Sequence, residues 1–496
     1  MPDRSKYQIF EWEGLHDKYI IKEDIKSDLL HNTADNVIQL WRDDDYRIVG
    51  KISGSLLEGE SKLLRNNYKS GERIIPSIIE GSNFYKKEKY RIEDCYIGNI
   101  SYNYEFQDPG KSKYEADFQT RYVRKQYNYC NEEMTGWLTE WYLNGPKMHV
   151  WFMRITERKY SEDFWRCRDV YYKKEHKFQS NISETSSRDH FFVQLHNLKF
   201  IVHKIPKDYG PGWSENIGIE YRQDFGGIPE KEKRDSIAEI ASFIFGRRLL
   251  NVGYTKYDNN GNPLELVSVN PRGDNVVSIC EEYELSPIVR DKYEDGKSVE
   301  DIFGQLVSSY LEKRDEFGLN EVLERYWIAE RLPLGIGIPI LHNGIEILAN
   351  NWFKSKKSKT HGVYLPKKEF EQRLNEEFSA IEKKLHSIRY GDRILNRMRG
   401  AFQTGAREKV EFFLEEIGLK IGELERRAIH ERNKMIHGSL DDDEEAIDKV
   451  ALLTKVYKTF FHRVLLKVLD YQGTYIDYSI LGWPKKNINQ VVGTEN

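Results

Sequence analysis

The chain has 496 residues, 39% of them hydrophobic and 31% charged, with a formal net charge of −4. At roughly 150 residues per domain this length calls for two or three units, and the near-neutral balance means that any nucleic-acid-binding face must be local. No run approaches the roughly 18 uninterrupted apolar residues of a spanning helix, and the opening MPDRSKYQIFEWEG lacks the apolar centre of a secretion signal, so the expectation is a water-soluble, cytoplasmic protein with no membrane partner. Cys95, Cys130, Cys167 and Cys280 are far apart and form no CxxC pair, which argues against a zinc knuckle or a disulfide framework.

From Tyr7 to about Val269 short β-branched and aromatic runs alternate with turn residues, the pattern of antiparallel sheets. Residues 36–42 and 46–52 flank Asp43, Asp44 and Asp45 and read as a hairpin. Further strands are expected at 90–106, 118–129, 137–143, 149–156 and 191–203, and 254–269 reads as a hairpin turning at Asp258-Asn259-Asn260-Gly261. One helix interrupts them at about 230–245, with Ile237, Ile240, Ala241 and Ile244 on one face and Gly246 as its stop.

Beyond Ser298 the apolar period becomes helical. Helices are expected at 339–353 (Ile340, Leu341, Ile345, Leu348, Trp352) and at 367–388 (Phe370, Leu374, Phe378, Ile381, Leu385, Ile388). Others follow around Val410, Phe413, Leu414 and Ile417, at 421–436, and in a long terminal helix whose stripe runs from Ile447 to Val468. The fold class is therefore α+β: a β-rich, sandwich-like domain over residues 1–295, a helical bundle over 296–475, and a tail over 476–496.

Chemistry concentrates in RNKMIHG, residues 432–438, where Gly438 would end the helix and the acidic run from Asp441 to Glu445 would open the next. At 3.6 residues per turn Asn433 and His437 lie about 40° apart around the axis, whereas Arg432 is about 140° from His437. Histidine titrates near neutral pH and can move the proton of a ribose 2′-hydroxyl. Arginine carries a permanent charge in a fork matched to phosphate, and asparagine can fix the imidazole or the phosphate by hydrogen bonding. The nucleophile would come from the RNA itself, so the reading calls for no metal and no cofactor.

RNKMIHG resembles the motif of the HEPN ribonucleases, in which an arginine is followed by a preferred asparagine, a short spacer, a histidine and often a glycine. The likeness covers the helical region from about Leu319 to Asp470. A β-rich first half joined to such a bundle is similar to the ApeA-like anti-phage HEPN proteins, and residues 245–267 (FGRRLLNVGYTKYDNNGNPLELV) look like the close of that family's amino-terminal domain. The resemblance implies an endoribonuclease with Arg432, Asn433 and His437 as catalytic residues, a homodimer through the HEPN domain, and abortive defence against phage. The β-rich domain would then sense a phage or host trigger. The alternatives are a non-catalytic dimer that only binds RNA or a ligand, and an RNase toxin held by a separate antitoxin. Without the asparagine, the glycine and the flanking amphipathic helices, an arginine and a histidine at this spacing would recur by chance about once or twice in such a chain.

Arg389, Arg393 and Arg397 are spaced by four, which a helix would align as a basic stripe for RNA phosphate, with Arg399 and Arg407 nearby; Lys434 inside the run is a further RNA contact. A solvated helix face is the plainer account of the stripe. Lysines 354, 356, 357 and 359 form a cationic loop that is either an RNA guide or a soluble connection. His430 is nearly in register with His437, and the acidic run is better explained by the helix dipole than by metal binding.

Overall fold

The computed structural model describes residues 12–16, 18–27, 35–57, 77–84, 87–104, 111–127, 135–147, 151, 154–159, 165–168, 175–177, 185–205, 210–259, 262–273, 275–281, 285–288, 293–294, 297–436 and 444–493. They form two compact units, one of Met1–Lys231 with Phe245–Leu285 and the other of Glu232–Ile244 with Ser286–Asn496. The expected α+β class is observed: a large antiparallel sheet precedes a helical region.

The first unit is built from β1 (Tyr19–Ile21), β2 (Glu23–Ser27), β3 (Val37–Arg42), β4 (Ile48–Leu57), β5 (Ser77–Asn83), β6 (Glu88–Tyr104), β7 (Lys111–Gln119), β8 (Tyr122–Tyr127) and β9 (Thr135–Leu143). These are followed by β10 (Arg154–Lys159), β11 (Trp165–Arg168), β12 (Glu175–Lys177), β13 (Thr185–Gln194), β14 (Lys199–Lys204), β15 (Ile217–Arg222), β16 (Leu250–Asp258) and β17 (Pro263–Val269). The sandwich-like expectation resolves into one antiparallel ladder, part of which closes on itself. β1 pairs with β3, β3 with β4, β4 with β7, β7 with β6, β6 with β5 and β5 with β2, which directly continues β1. Successive side chains of a strand alternate between faces, so Ile38 and Leu40, Ile48 and Ile52, Tyr114 and Phe118, and Tyr90 and Ile92 enter one buried core with Ile21, Ile25 and Ile79. Asp24, at φ 51, sits where the β2–β5 register shifts, the extra residue of a bulge that bends the strand.

From β6 the ladder runs through β8, β17, β16, β9, β15, β14 and β13 to β10, β11 and β12. A buried carboxylate joins its early and late strands. Glu13 accepts from Arg42 Nε at 3.0 Å, Tyr46 OH at 3.1 Å and Ser268 Oγ at 2.7 Å, while Arg42 also donates to the carbonyls of Val252 and Val269 at 2.9 Å. The hairpins expected at Asp43–Asp45 and at Asp258 are present, and Asp43 and Asp258 carboxylates accept the turn amides of Arg47 and Asn262. Residues 118–129 and 191–203 do not form single strands: each holds a turn, at Thr120–Arg121, whose residues are too ordinary as turn formers to mark it, and at His196–Asn197, where Asn197 alone carries the signal. Of the strand expected at 149–156, residues 149, 150, 152 and 153 lie outside the described residues.

The helix expected at 230–245, α1 (Lys231–Phe245), belongs through Glu232–Ile244 to the second unit rather than to the sheet around it in sequence. Phe243 packs its ring 6.0 Å from Tyr326 and 5.6 Å from His462, and Glu239 accepts two hydrogen bonds from Arg314, at 2.7 and 3.0 Å. After α2 (Val276–Glu281) of the first unit come the short strands β18 (Tyr293–Glu294) and β19 (Lys297–Ser298). The bundle follows: α3 (Val299–Phe317), α4 (Leu319–Glu330), α5 (Ile338–Lys354), α6 (Lys367–Leu385), α7 (Gly391–Arg399), α8 (Ala406–Glu416), α9 (Glu423–Ile436) and α10 (Glu444–Val468). Val450, Leu453, Tyr457, Phe460, Phe461, Val464 and Val468 of α10 are buried, as are Leu341, Ile345 and Leu348 of α5, whereas Ile447 is exposed. The stripes are therefore largely satisfied within the chain.

The expected tail at 476–496 is part of the same unit. β20 (Thr474–Ile476) pairs with β21 (Lys485–Asn487), Asp477 and Lys486 form a buried ion pair at 2.8 Å, and Tyr478 OH donates to the Ser286 carbonyl at 2.7 Å. Its aromatic and aliphatic residues Ile476, Tyr478, Ile488 and Val492 are buried, which is what holds so short a segment in place.

His462 is fully buried, with Nε2 3.0 Å from Tyr326 OH; burial first, and then the Lys458 charge, push its pKa down from the ordinary 6.5 to about 3. An unfolded chain binds the proton that the folded chain refuses, so this contribution is full above pH 6.5 and is lost as pH falls towards 3. At about 1.4 kcal/mol per unit, lowering the pH to 5 is expected to cost roughly 2 kcal/mol. Thermal melts of wild type and His462→Asn at both pH values check this: the variant should lose less stability on acidification, and equal losses would show that His462 is not the group responsible.

Candidate functional site

Of the run singled out in the sequence, Arg432–Ile436 form the carboxyl end of α9. Gly422 donates its amide to Glu425 Oε2 at 2.6 Å, and Glu423 and Glu425 put negative charge in the first turn, where the helix dipole favours it. Glu425, Ala428 and Ile429 are buried, while Arg426, Arg427 and His430 are exposed. Near the other end, Glu431 accepts from Arg427 Nε at 3.1 Å and pairs with Lys449 of α10 at 3.1 Å. Burial raises the Glu431 carboxyl, but the hydrogen bonds from Lys449 and Arg427 and their charges outweigh it and leave it below the ordinary value. A charged clamp thus fixes the last turns of α9 against α10.

Arg432, Asn433 and Lys434 are residues of α9; their side chains, and His437 and Gly438 entirely, lie outside the described residues. At about 100° per residue, the backbone position of Asn433 is in register with exposed Arg426 and His430, and that of Lys434 with exposed Arg427. Arg432 instead falls in register with buried Glu425, Ala428 and Ile429. Asn433 and Arg432 therefore start from different sides of the helix, as the spacing requires. Asp441, Asp442 and Asp443 and the side chains of Glu444 and Glu445 are also outside the described residues; among those described, no three metal-ligating side chains lie together.

The basic stripe is realised differently from the expectation. Arg393 and Arg397 are on α7, but Arg389 precedes it, in the turn after α6, because Tyr390 adopts φ 72 and breaks the helical path. The chain is forced into this tight corner at Gly391, where a Cβ would sit 2.1 Å from the Leu385 carbonyl oxygen. Arg389 and Arg393 nevertheless converge, with guanidinium carbons 5.1 and 5.2 Å from the centre of the Tyr390 ring. Arg399 is paired with Glu382 at 3.1 Å and Arg407 with Glu411 at 3.0 Å, so these two are occupied.

The lysine loop between α5 and α6 is pinned by Glu416, the last residue of α8. Its carboxylate accepts from Trp352 Nε1 at 2.7 Å, Thr360 Oγ1 at 2.6 Å and the amides of Thr360 and Lys359 at 2.9 and 3.2 Å. Burial raises this carboxyl and the hydrogen bonds more than offset the rise, leaving it below the ordinary range. Lys356 and Lys359 are exposed, and Lys357 Nζ lies 5.3 Å from the Phe317 ring centre. The loop is thus a fixed connection, and sequence reasoning missed Glu416 because nothing local announces a carboxylate that serves a loop 56 residues away. It also passed over Tyr390, for which the signal was available: an aromatic residue next to one arginine and three before another, followed by glycine.

Among the described residues, no helix is long and apolar enough to cross a membrane. No family model matches the chain, and neither a curated protein nor a solved structure matches it.

Proposed function

We propose that the helical unit is a metal-independent endoribonuclease whose catalytic residues are Arg432, Asn433 and His437. The observation that supports it is that Arg432–Ile436, the first five residues of RNKMIHG, form the last turns of α9, which Glu431 clamps to α10, with the backbone position of Asn433 in register with the exposed Arg426 and His430. In the reaction, His437 takes the proton of a ribose 2′-hydroxyl and the freed oxygen attacks the adjacent phosphorus. The bond from phosphorus to the 5′-oxygen breaks, and that oxygen leaves with a proton supplied by an imidazolium. Arg432 neutralises the charge that builds on the phosphate oxygens, and Asn433 orients the imidazole or the phosphate. The products are a 2′,3′-cyclic phosphate and a 5′-hydroxyl. In the same reading the protein acts as a homodimer through its helices, and the β-rich unit senses a phage or host trigger that releases cleavage in defence against infection.

The test is incubation of the purified protein with an end-labelled RNA and with its 2′-deoxy counterpart, in EDTA. Because the nucleophile belongs to the substrate, the RNA should be cut at an undiminished rate to cyclic-phosphate ends and the DNA left intact. Cleavage of the DNA, or loss of all activity until a divalent ion is restored, would instead mark a metal-dependent nuclease.

A further inference from the structure

We infer that the corner and helix at 386–399 form a platform for single-stranded RNA, centred on Tyr390; this rests on the reading of the protein as one that acts on RNA. The Tyr390 ring is 55% exposed, although large aromatic side chains are usually withdrawn from water. It is also rigidly presented. Ile388 and Gly391 amides donate to the carbonyls of Leu385 and Ile388 at 3.0 and 2.9 Å, and Arg393 and Ile394 amides donate to the Tyr390 carbonyl at 3.0 and 3.2 Å. Below the corner, buried Leu395 and Phe378 fix α7 on α6. The cost of a bulky residue at positive φ is thus met by a locked turn whose product is an aromatic ring held outwards.

Charge selects the occupant. Arg389, Arg393 and Arg397 have no carboxylate within ion-pair distance among the described residues, unlike the neighbouring Arg399 and Arg407. One turn of helix separates Arg393 from Arg397, about 6 Å along the axis, comparable to one step between phosphates of a single strand. Ile394 and Met398 repeat the same interval beside them and are exposed, so α7 shows a cationic row next to an apolar row that begins at Tyr390. A single strand presents the same pair of features, phosphates along one edge and base faces along the other. An arriving base displaces one guanidinium from the Tyr390 ring, and that arginine is then free for the phosphate beside it. A duplex keeps its base faces stacked inside and can use only the charges. An anionic bilayer is a poorer match: α7 has only nine residues, and the exposed Glu382 held beside it by Arg399 would face the lipid charge.

The full-length protein can be titrated with a fluorescent 2′-O-methyl RNA of about a dozen nucleotides, which lacks the 2′-hydroxyl and so reports binding without cleavage. Tyr390→Ala should weaken single-strand binding roughly 5- to 150-fold and leave duplex binding unchanged, whereas Tyr390→Phe should bind as wild type. Replacing Arg389, Arg393 and Arg397 together by glutamine should lower the slope of log affinity against log salt by about 2. Thermal melts of each variant separate these effects from loss of the fold. The platform is overturned if no RNA binds, if folded Tyr390→Ala binds single strands as wild type does, or if polyglutamate or anionic vesicles bind as tightly as the RNA. Binding that depends on Tyr390 in a protein that cuts nothing would remove the nuclease reading and keep the platform. Cleavage by a protein whose binding ignores Tyr390 would do the reverse.

Discussion

With His437 replaced by alanine, RNA cleavage is expected to fall by roughly 10²- to 10⁴-fold, the range over which a positioned acid or base accelerates proton transfer. Arg432→Ala should fall by about 10²–10³-fold, because it removes charge stabilisation from the transition state. The two losses need different controls. His437 is followed by Gly438 in the segment between α9 and α10, whereas Arg432 is in helical register with the buried Glu425, Ala428 and Ile429, so its replacement can disturb packing as well as chemistry. The Arg432 result therefore counts only if the variant melts with the wild type. If both variants are folded and fully active, the site is elsewhere.

The same pair of variants tests assembly. At 3.6 residues per turn the spacing of Arg432 and His437 corresponds to about 140° around a helix axis, and a two-fold contact between equivalent helix ends would bring the arginine of one subunit to the histidine of the other. Mixing Arg432→Ala with His437→Ala subunits is then expected to restore part of the cleavage, since a mixed dimer holds one intact combination. A site complete within one chain gains nothing from mixing, and a monomer that cuts at full rate would remove the composite site while leaving the residues catalytic.

Why was the helical half more legible than the β half? In α5 and α10 a long apolar period fixes both the element and the face it buries, and in α6 it fixes the element; Lys367–Leu385 and Glu444–Val468 fall close to where the period places them. Strand runs carry less information, since one or two unremarkable residues such as Thr120 and Arg121 suffice to turn the chain. Partners were legible nowhere. The period of α1 gives its inward face, Ile237, Ile240, Ala241 and Ile244, but not that the face would meet helices more than sixty residues later. The arginine spacing was read through Tyr390 as if the helix were continuous, and only the backbone at Tyr390 and Gly391 moves Arg389 off it. Of the RNKMIHG run, the sequence supplied the helix for Arg432 and Asn433 and the register that separates them.

The largest stability effect is expected at Arg463, because it anchors the helix that carries Arg432 and Asn433 of the proposed site. Both Arg463 and Glu425 are completely buried, and their side chains form a direct ion pair between α10 and the first turn of α9. Arg463 Nη2 also bonds to the carbonyls of Lys420 and Ile488, each at 3.1 Å, and its guanidinium lies 5.2 Å from the Tyr475 ring centre. One cation thus fastens α9, α10 and the carboxyl-terminal hairpin together. Arg463→Met fills much of the same volume but leaves Glu425 buried without its counter-charge, a change that costs about 3–5 kcal/mol. At about 2–4 °C per kcal/mol for a unit of this size, the melting temperature should fall by roughly 6–20 °C. A second substitution, Glu425→Gln, removes the uncompensated charge while preserving an acceptor for the Gly422 amide, and the double variant should recover a good part of the loss. That recovery is the informative measurement, since a cavity would persist in the double variant and an unpaired charge would not. A melting temperature within a degree of wild type for Arg463→Met would mean that α9 is held by its apolar face alone, and cleavage should then be unaffected; a large loss should carry the activity down with it as α9 leaves α10.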